Sequence, residues 1–258
     1  MLFWPCESWY KSILIFNFDF LIQFLMAKNI TKKESEYELI ENPDAIADRL
    51  SQSEEFVRKN RGILIGVFAA IAILIVGGFL YYNWRTSQNQ EAQVAMFPAV
   101  AYFEADSLNK ALNGDGQNEG LIAIADDYSG TKAGNLANFY AGVAYLKQGQ
   151  FQKAIEYLDE FESDDLVLQS RAYSLIGDAN MELGNKEQAA DMYLKAANHK
   201  ANAFFSPQYL MKAGIAYESM NKYSEAAEAY DKIITNYAAS SEITDAKKYK
   251  ARAEMLAK

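Results

Sequence analysis

One spacing of small residues occurs three times between residues 134 and 237, and it constrains the fold more than any other feature. A glycine precedes an alanine by twelve positions, and a leucine or tyrosine follows the alanine by four. The three sets are Gly142/Ala154/Leu158, Gly177/Ala189/Tyr193 and Gly214/Ala226/Tyr230. Their glycines are 35 and 37 residues apart. A period of this length is that of one helix–turn–helix unit, and it indicates an array of stacked hairpins.

The small residues have a packing role in this interpretation. Gly142 and Ala154 would lie on facing sides of two antiparallel helices, where only small residues let the backbones approach closely. Seven positions after each glycine stands a residue that tolerates left-handed backbone geometry, which predicts the end of a first helix. These residues are Gly149, Gly184 and Asn221. The second helices are predicted at Phe151–Phe161, Lys186–Ala197 and Tyr223–Ile234. The alternative is an unrelated helical hairpin bundle with coincidental glycines.

This order of residues resembles the tetratricopeptide repeat family, because Tyr145, Asn180 and Tyr217 stand three positions after the glycines. Asn180 departs from the family's tyrosine, no tryptophan occupies the early first-helix site, and no proline closes a unit. The resemblance implies an all-α fold, an α-α superhelix of helical hairpins. The predicted repeats cover about 134–163, 168–198 and 206–237, and a charged helix at 241–257 would cap the array.

An uncharged segment precedes the repeats. No charged residue lies between Arg61 and Arg85, and Gly62–Tyr82 consists mostly of Ile, Leu, Val, Ala, Phe and Gly. A helix over residues 62–82 would be about 31 Å long, which matches the hydrocarbon thickness of a bilayer. Tyr81, Tyr82 and Trp84 cluster at its far end, where aromatic side chains favour the interface. The sequence therefore predicts a transmembrane helix at 62–82.

Basic residues set the predicted orientation. Arg49, Arg58, Lys59 and Arg61 precede the span, whereas Arg85 is the one basic residue among the fifteen that follow Tyr82. By the positive-inside rule, residues 27–61 form a cytosolic tail with short helices. We therefore expect a single-pass protein with a cytoplasmic N-terminus and its repeat domain across the membrane, which is the periplasm if the cell is a Gram-negative bacterium.

The first 26 residues differ in composition from the rest of the chain. They hold two of the three tryptophans and the one cysteine, Cys6. Their apolar run is too short to span a bilayer, and no clear cleavage site of a signal peptide follows. Met26 precedes Ala27 and Lys28, an ordinary start for a cytosolic tail. We expect that the native protein begins at Met26 and that residues 1–26 are a non-native extension.

A pair of helices is predicted at 87–133, where it would cap the array on the membrane side. Residues 87–112 have helical periodicity, and Pro98 should kink that helix or mark a break within it. A second helix is predicted at Glu119–Tyr128. The apolar residues available for one broad face of the first helix are Val94, Met96, Val100, Phe103, Leu108 and Leu112.

The composition argues against catalysis and against nucleic acid as a partner. His199 is the one histidine, and the sequence has no glycine-rich phosphate loop and no metal-spaced His/Cys set. Residues 86–258 hold 16 Lys/Arg and 24 Asp/Glu, a balance that repels a phosphate backbone. We expect no enzyme activity, no cofactor, no metal and no small-molecule substrate.

The family resemblance implies that the first helices line a groove for peptides. The groove positions are Phe139, Val143, Leu146, Arg171, Asp178, Met181, Met211 and Ile215. The Lys and Asn with which some members grip a C-terminal carboxylate are replaced by Phe139 and Val143. An apolar groove with methionines suits hydrophobic or partly unfolded segments. The alternative is that the helices at 87–128 fold back and fill it.

A cytosolic tail, one span and a periplasmic tetratricopeptide array together resemble the YfgM type of bacterial inner-membrane protein over about residues 27–258. That resemblance implies an ancillary factor of the SecYEG translocon, with translocon subunits, periplasmic chaperones or exported chains as partners. The competing hypothesis is a structural scaffold that organises an envelope complex and binds no unfolded client.

Overall fold

The computed structural model describes residues 51 and 53–258. The predicted extension at 1–26 and most of the predicted cytosolic tail lie outside these residues. The chain divides into two compact units between Val76 and Gly77.

In the first unit, residues 53–59 are helical and helix α1 (Arg61–Glu104) begins. Its apolar side chains face outward: Phe68 is 70% exposed and Ile73 is 71% exposed. Within the described part of the chain, α1 is the one helix whose length and composition would let it cross a membrane, and none of its most apolar stretch is buried.

The second unit holds the remainder of α1 and a series of shorter helices, with no strand among the described residues. The shorter helices are α2 (Leu108–Asn113), α3 (Leu121–Asp127), α4 (Lys132–Lys147), α5 (Phe151–Asp159), α6 (Leu166–Glu182), α7 (Lys186–Asn198), α8 (Ser206–Glu218), α9 (Tyr223–Asn236) and α10 (Ile243–Leu256). Three hairpins, α4–α5, α6–α7 and α8–α9, cover the three predicted repeats.

The turns of the three hairpins share one conformation. Gly149, Gly184 and Asn221 have φ angles of 72°, 80° and 60°, which confirms the predicted left-handed stops. The next residue in each turn donates its N–H to a carbonyl five residues back, and the first such bond joins Gln150 to Tyr145 at 2.9 Å. Such a bond satisfies a carbonyl that the helix end leaves unpaired. A left-handed residue and one main-chain hydrogen bond, both within the turn, therefore end the first helix of each hairpin.

The glycines of the first helices face the second helices. A Cβ atom on Gly142 would lie 2.5 Å from Leu158 Cγ, and one on Gly177 would lie 2.6 Å from Tyr193 Cε1. Gly214 faces Tyr230 in the same way. The space at each glycine is thus filled by the residue four positions after the alanine, while Ala154, Ala189 and Ala226 are completely buried.

The region before the repeats differs from its prediction in two places. We predicted a kink or a break at Pro98. Helix α1 continues through this residue, so a break there is wrong; the helix ends just before Asp106, which takes a left-handed conformation with φ 56°. Val94 is 75% exposed although we placed it on the buried face. The buried residues follow the helical repeat Ala92, Met96 and Ala99, which leaves Val94 on the other side of α1.

The C-terminal helix α10 closes the other end of the unit. It buries Ala246 and Ala253 in the cluster that also holds α9 residues. Lys250 Nζ lies 2.7 Å from Asp231 Oδ1, and Arg252 pairs with Glu218 of α8. Most of the remaining side chains of α10 are exposed, as a terminal helix of a stacked array requires for solubility.

Candidate peptide-binding face

The binding face comprises the eight predicted groove positions on α4, α6 and α8. On α4, the half-buried residues Phe139, Val143 and Leu146 pack against a cluster formed by α5 and α6. The ring centroid of Phe139 lies 5.1 Å from that of Phe161. The structure therefore brings these three predicted residues together, but their buried portions join the first repeat to the second.

The helices before the repeats pack on a different stripe of α4. Ala92, Met96 and Ala99 of α1 share a cluster with Ala133 and Ala137. Phe139 and Val143 lie outside that cluster and pack only in the one formed with α5 and α6. The helices at 87–128 therefore bury a different side of α4 from the one that carries Phe139, while Leu146 lies at the boundary and packs against both clusters.

Asp178 of α6 is held by two neighbours. Its carboxylate accepts hydrogen bonds from Lys212 Nζ at 2.7 and 2.8 Å and from Tyr193 Oη at 2.7 Å. Burial raises the pKa of Tyr193, and the hydrogen bond to Asp178 raises this pKa further. These contacts join the second repeat to the third, so the charge of Asp178 is already paired within the chain.

Lys212 was not among the predicted residues. It stands two positions before Gly214, whereas Asp178 stands one position after Gly177, so the two residues occupy different places in their repeats and the repeat pattern does not pair them. Its ammonium group also lies 5.4 Å from the ring centroid of Tyr193. The pair is accessible at the surface, because the two side chains are 36% and 31% exposed.

The remaining predicted residues differ in exposure. Arg171 is exposed, and Ile215 is 49% exposed. Met181 and Met211 are half-buried and belong to two separate clusters. The binding face is therefore partly apolar and partly polar, with Arg171 and Ile215 as its most accessible members.

The described residues contain no group of three or more His, Cys, Asp or Glu side chains that could hold a metal ion. The imidazole of His199 packs edge-on against Tyr173, with ring centroids 5.9 Å apart. The hydroxyl of Ser170 donates to the main-chain carbonyl of His199, not to its ring. The imidazole of His199 thus makes a packing contact, and its Nε2 atom is buried without a hydrogen-bond partner among the described residues.

Two family models described as tetratricopeptide repeat match residues 139–204 and residues 208–240. The hairpins are tetratricopeptide repeats. The first match covers most of α4–α5 and all of α6–α7, and the second covers α8–α9. Tetratricopeptide repeats make this part of the chain a protein-binding module. No curated protein matches the sequence.

Two solved structures are similar to the chain. The first, "Crystal structure of MamA protein", has 22% sequence identity and a TM-score of 0.44, with 64% of this chain and 87% of the other chain covered. The second, "Crystal structure of MamA", has 25% identity and a TM-score of 0.36, with 52% and 82% covered.

Proposed function

We propose that the protein is a membrane-tethered tetratricopeptide module of a bacterial inner membrane, with a cytoplasmic N-terminus and periplasmic repeats. The observation that carries this proposal is the apolar stretch Gly62–Tyr82. Most of its large side chains are exposed, whereas the apolar side chains of residues 83–258 are mostly buried or half-buried. Exposed Ile, Leu and Phe over such a length favour a bilayer as their surroundings. The basic residues before the stretch support the orientation.

We further propose that the repeats act in protein export, where they contact exported chains or periplasmic chaperones, as the YfgM-type architecture suggests. The exposed side chain of Ile215 and the half-buried Met211 offer an adaptable apolar surface to extended or partly unfolded segments. A tether near the exit of the translocon would raise the effective concentration of the repeats, so weak binding would suffice.

The orientation can be tested by cysteine labelling in a chain whose Cys6 is replaced by Ser. Ala201→Cys lies in an exposed loop of the repeats, and Lys59→Cys lies before the apolar stretch. A membrane-impermeant thiol reagent should label the first variant in intact spheroplasts and the second only after permeabilisation. Labelling of both, or the reverse order, would sink the proposed topology.

The client role can be tested by photo-crosslinking in living cells. A photo-reactive residue at Ile215 should capture many newly exported proteins or a periplasmic chaperone. The control is the same residue at Lys232, which is exposed on α9, outside the binding face. Equal capture at the two positions would contradict binding through α4, α6 and α8.

A scaffold without unfolded clients is the second candidate. It is favoured by the half-buried state of Phe139 and Val143 and by the pairing of Asp178 with Lys212, because these contacts leave less free apolar surface. Capture of a single folded partner at Ile215 would support this role over the client role.

A further inference from the structure

A second surface lies outside the binding face, beside the C-terminal half of α1. An open depression of about 1080 Å³ is lined by residues of α1, by Gln117–Glu119 and by Tyr128. Val94 and Phe97 border it and are 75% and 79% exposed. They are three positions apart on one helix, so they form a continuous apolar pair.

Two carboxylates line the depression together with this apolar pair, and a third lies near it. Glu91 and Glu119 line the depression, and Asp127 precedes Tyr128. Burial raises the pKa of Tyr128, and the charges of Glu119, Glu91 and Asp127 raise it further. Among the described residues, none of these three carboxylates forms an ion pair; Glu91 accepts only from Ser87 at 3.2 Å and Gln88 at 3.5 Å.

The chain around the depression is also negatively charged. Residues 86–165 hold 13 Asp/Glu and 4 Lys/Arg, whereas residues 166–258 hold 11 and 12. The excess of negative charge therefore lies within residues 86–165, the segment that includes the lining of the depression. Three of the four cations are engaged elsewhere, since Lys147 pairs with Asp106, Lys110 lies over the ring of Tyr102 and Lys153 lies over the ring of Tyr145.

We propose that this depression binds a segment of a partner protein in which basic side chains flank one or two apolar ones. The apolar residues of the partner would cover Val94 and Phe97, and its Lys or Arg side chains would pair with Glu91 and Glu119. Unpaired carboxylates around exposed apolar side chains favour this combination over a purely apolar or an acidic segment.

A bilayer is a poorer occupant of the depression. Phe97 lies about 22 Å further along the helix than Tyr82, at ~1.5 Å per residue. The carboxylates would also be repelled by anionic headgroups. A protein segment that carries the opposite charge meets neither difficulty.

The experiment measures fluorescence anisotropy of a labelled peptide with the full chain in nanodiscs, with empty nanodiscs as the background. The probe is a 14-residue helical peptide that carries Leu and Phe three positions apart, with four Lys around them. The double variant V94S/F97S should weaken binding by about tenfold or more. The variant E91Q/E119Q should weaken it several-fold and reduce its salt dependence.

Three controls make the result specific. V94S/F97S should keep its helical content, because both side chains are already exposed. E156Q/E160Q removes two exposed carboxylates of the first repeat and should leave binding unchanged. A probe whose Leu and Phe are replaced by Ser should bind at least about tenfold more weakly.

The proposal is overturned if the Ser probe binds as well as the original, or if E156Q/E160Q weakens binding as much as E91Q/E119Q. Phe97-dependent binding to lipid vesicles would assign the surface to a bilayer instead. Phe97-dependent self-association in sedimentation would assign it to a second copy of this chain. None of these outcomes depends on the photo-crosslinks at Ile215. The peptide-binding experiment can therefore contradict this inference without contradicting the client role, and the reverse is also true.

Discussion

The junction between repeats 1 and 2 differs from the junction between repeats 2 and 3. The first is formed by large apolar side chains, among them Leu158, Phe161 and Ile176. The second has more alanines: one cluster holds four alanines around Tyr193, another packs Ala196 and Ala197 of α7 with Tyr209 and Leu210 of α8, and Asp178 and Lys212 are paired beside them. Among the described residues, no ion pair joins α4 or α5 to α6 or α7. Ion pairs therefore contribute to junction 2–3 and not to junction 1–2.

This difference shows two ways to stack similar hairpins. Large side chains bury apolar area directly, at roughly 25 cal/mol per Å². Alanines bury less area each but let helices approach closely, and the charged groups at the edge then add directional contacts. We therefore expect junction 1–2 to respond most to loss of volume and junction 2–3 to respond to charge and pH.

The largest effect is expected for Phe161→Ala in junction 1–2. Phe161 is 2% exposed and contacts Phe139, so its truncation would leave a cavity. We expect a loss of about 3–5 kcal/mol in the free energy of unfolding. Denaturation followed by circular dichroism, with hydrogen exchange of α6, measures it. Phe204→Ala removes a ring that is 71% exposed and should change little; equal losses would contradict the assignment of this junction.

A smaller effect is expected for Asp178→Asn in junction 2–3. The change removes the carboxylate that accepts from Lys212 and Tyr193. We expect a loss of about 1–3 kcal/mol, because the side chains of Asp178 and Lys212 are only partly buried. Hydrogen exchange should become faster in α8 and remain unchanged in α4. Asp159→Asn is the control, since Asp159 is exposed on α5. The same loss in that variant would show a general effect of charge.

The pH dependence of unfolding separates the junctions further. Burial and Asp178 raise the pKa of Tyr193, so the folded chain keeps this proton at a pH where the unfolded chain has lost it. The stability from this group is complete below about pH 10 and falls as the pH rises above it. Denaturation midpoints between pH 8 and 11 should therefore decline, and Tyr193→Phe should reduce the slope. An unchanged slope would contradict this prediction.

The smallest effect is expected for Glu187→Gln. Its carboxylate lies 2.6 Å from Lys222 Nζ across junction 2–3, but the two side chains are 55% and 37% exposed. Exposed ion pairs contribute little and are screened by salt. The denaturation midpoint should shift marginally at low salt and not at all at high salt. A large shift would mean that this pair, and not Asp178, holds the junction.

The hairpins could be predicted from the sequence because their determinants are local. A glycine or asparagine at the turn and small residues at fixed spacing are visible in one repeat at a time. The end of α1 was missed, because proline is the stronger signal for a break and the left-handed residue is Asp106. Sequence gave no reason to prefer that aspartate over its neighbours.

The binding face was harder to predict because its state depends on neighbouring repeats. A family pattern identifies Phe139 and Asp178 as residues on the groove side of their respective first helices. It does not reveal that the ring of Phe161 packs against Phe139. Nor does it reveal that Lys212 and Tyr193 donate hydrogen bonds to Asp178. The depression beside α1 was missed for the same reason, since Val94 fits a buried periodicity until the packing of α1 is known.

Two side chains of α1 fasten it to the start of the repeats. Arg85 donates to the carbonyl of Gly130, and Asn89 Oδ1 accepts from the N–H of Ala133 at 3.0 Å. A mechanical pull along α1 would therefore reach the start of α4 through these two bonds as well as through the apolar cluster that Ala92, Met96 and Ala99 share with Ala133 and Ala137. The hairpins would carry such a load at one end only.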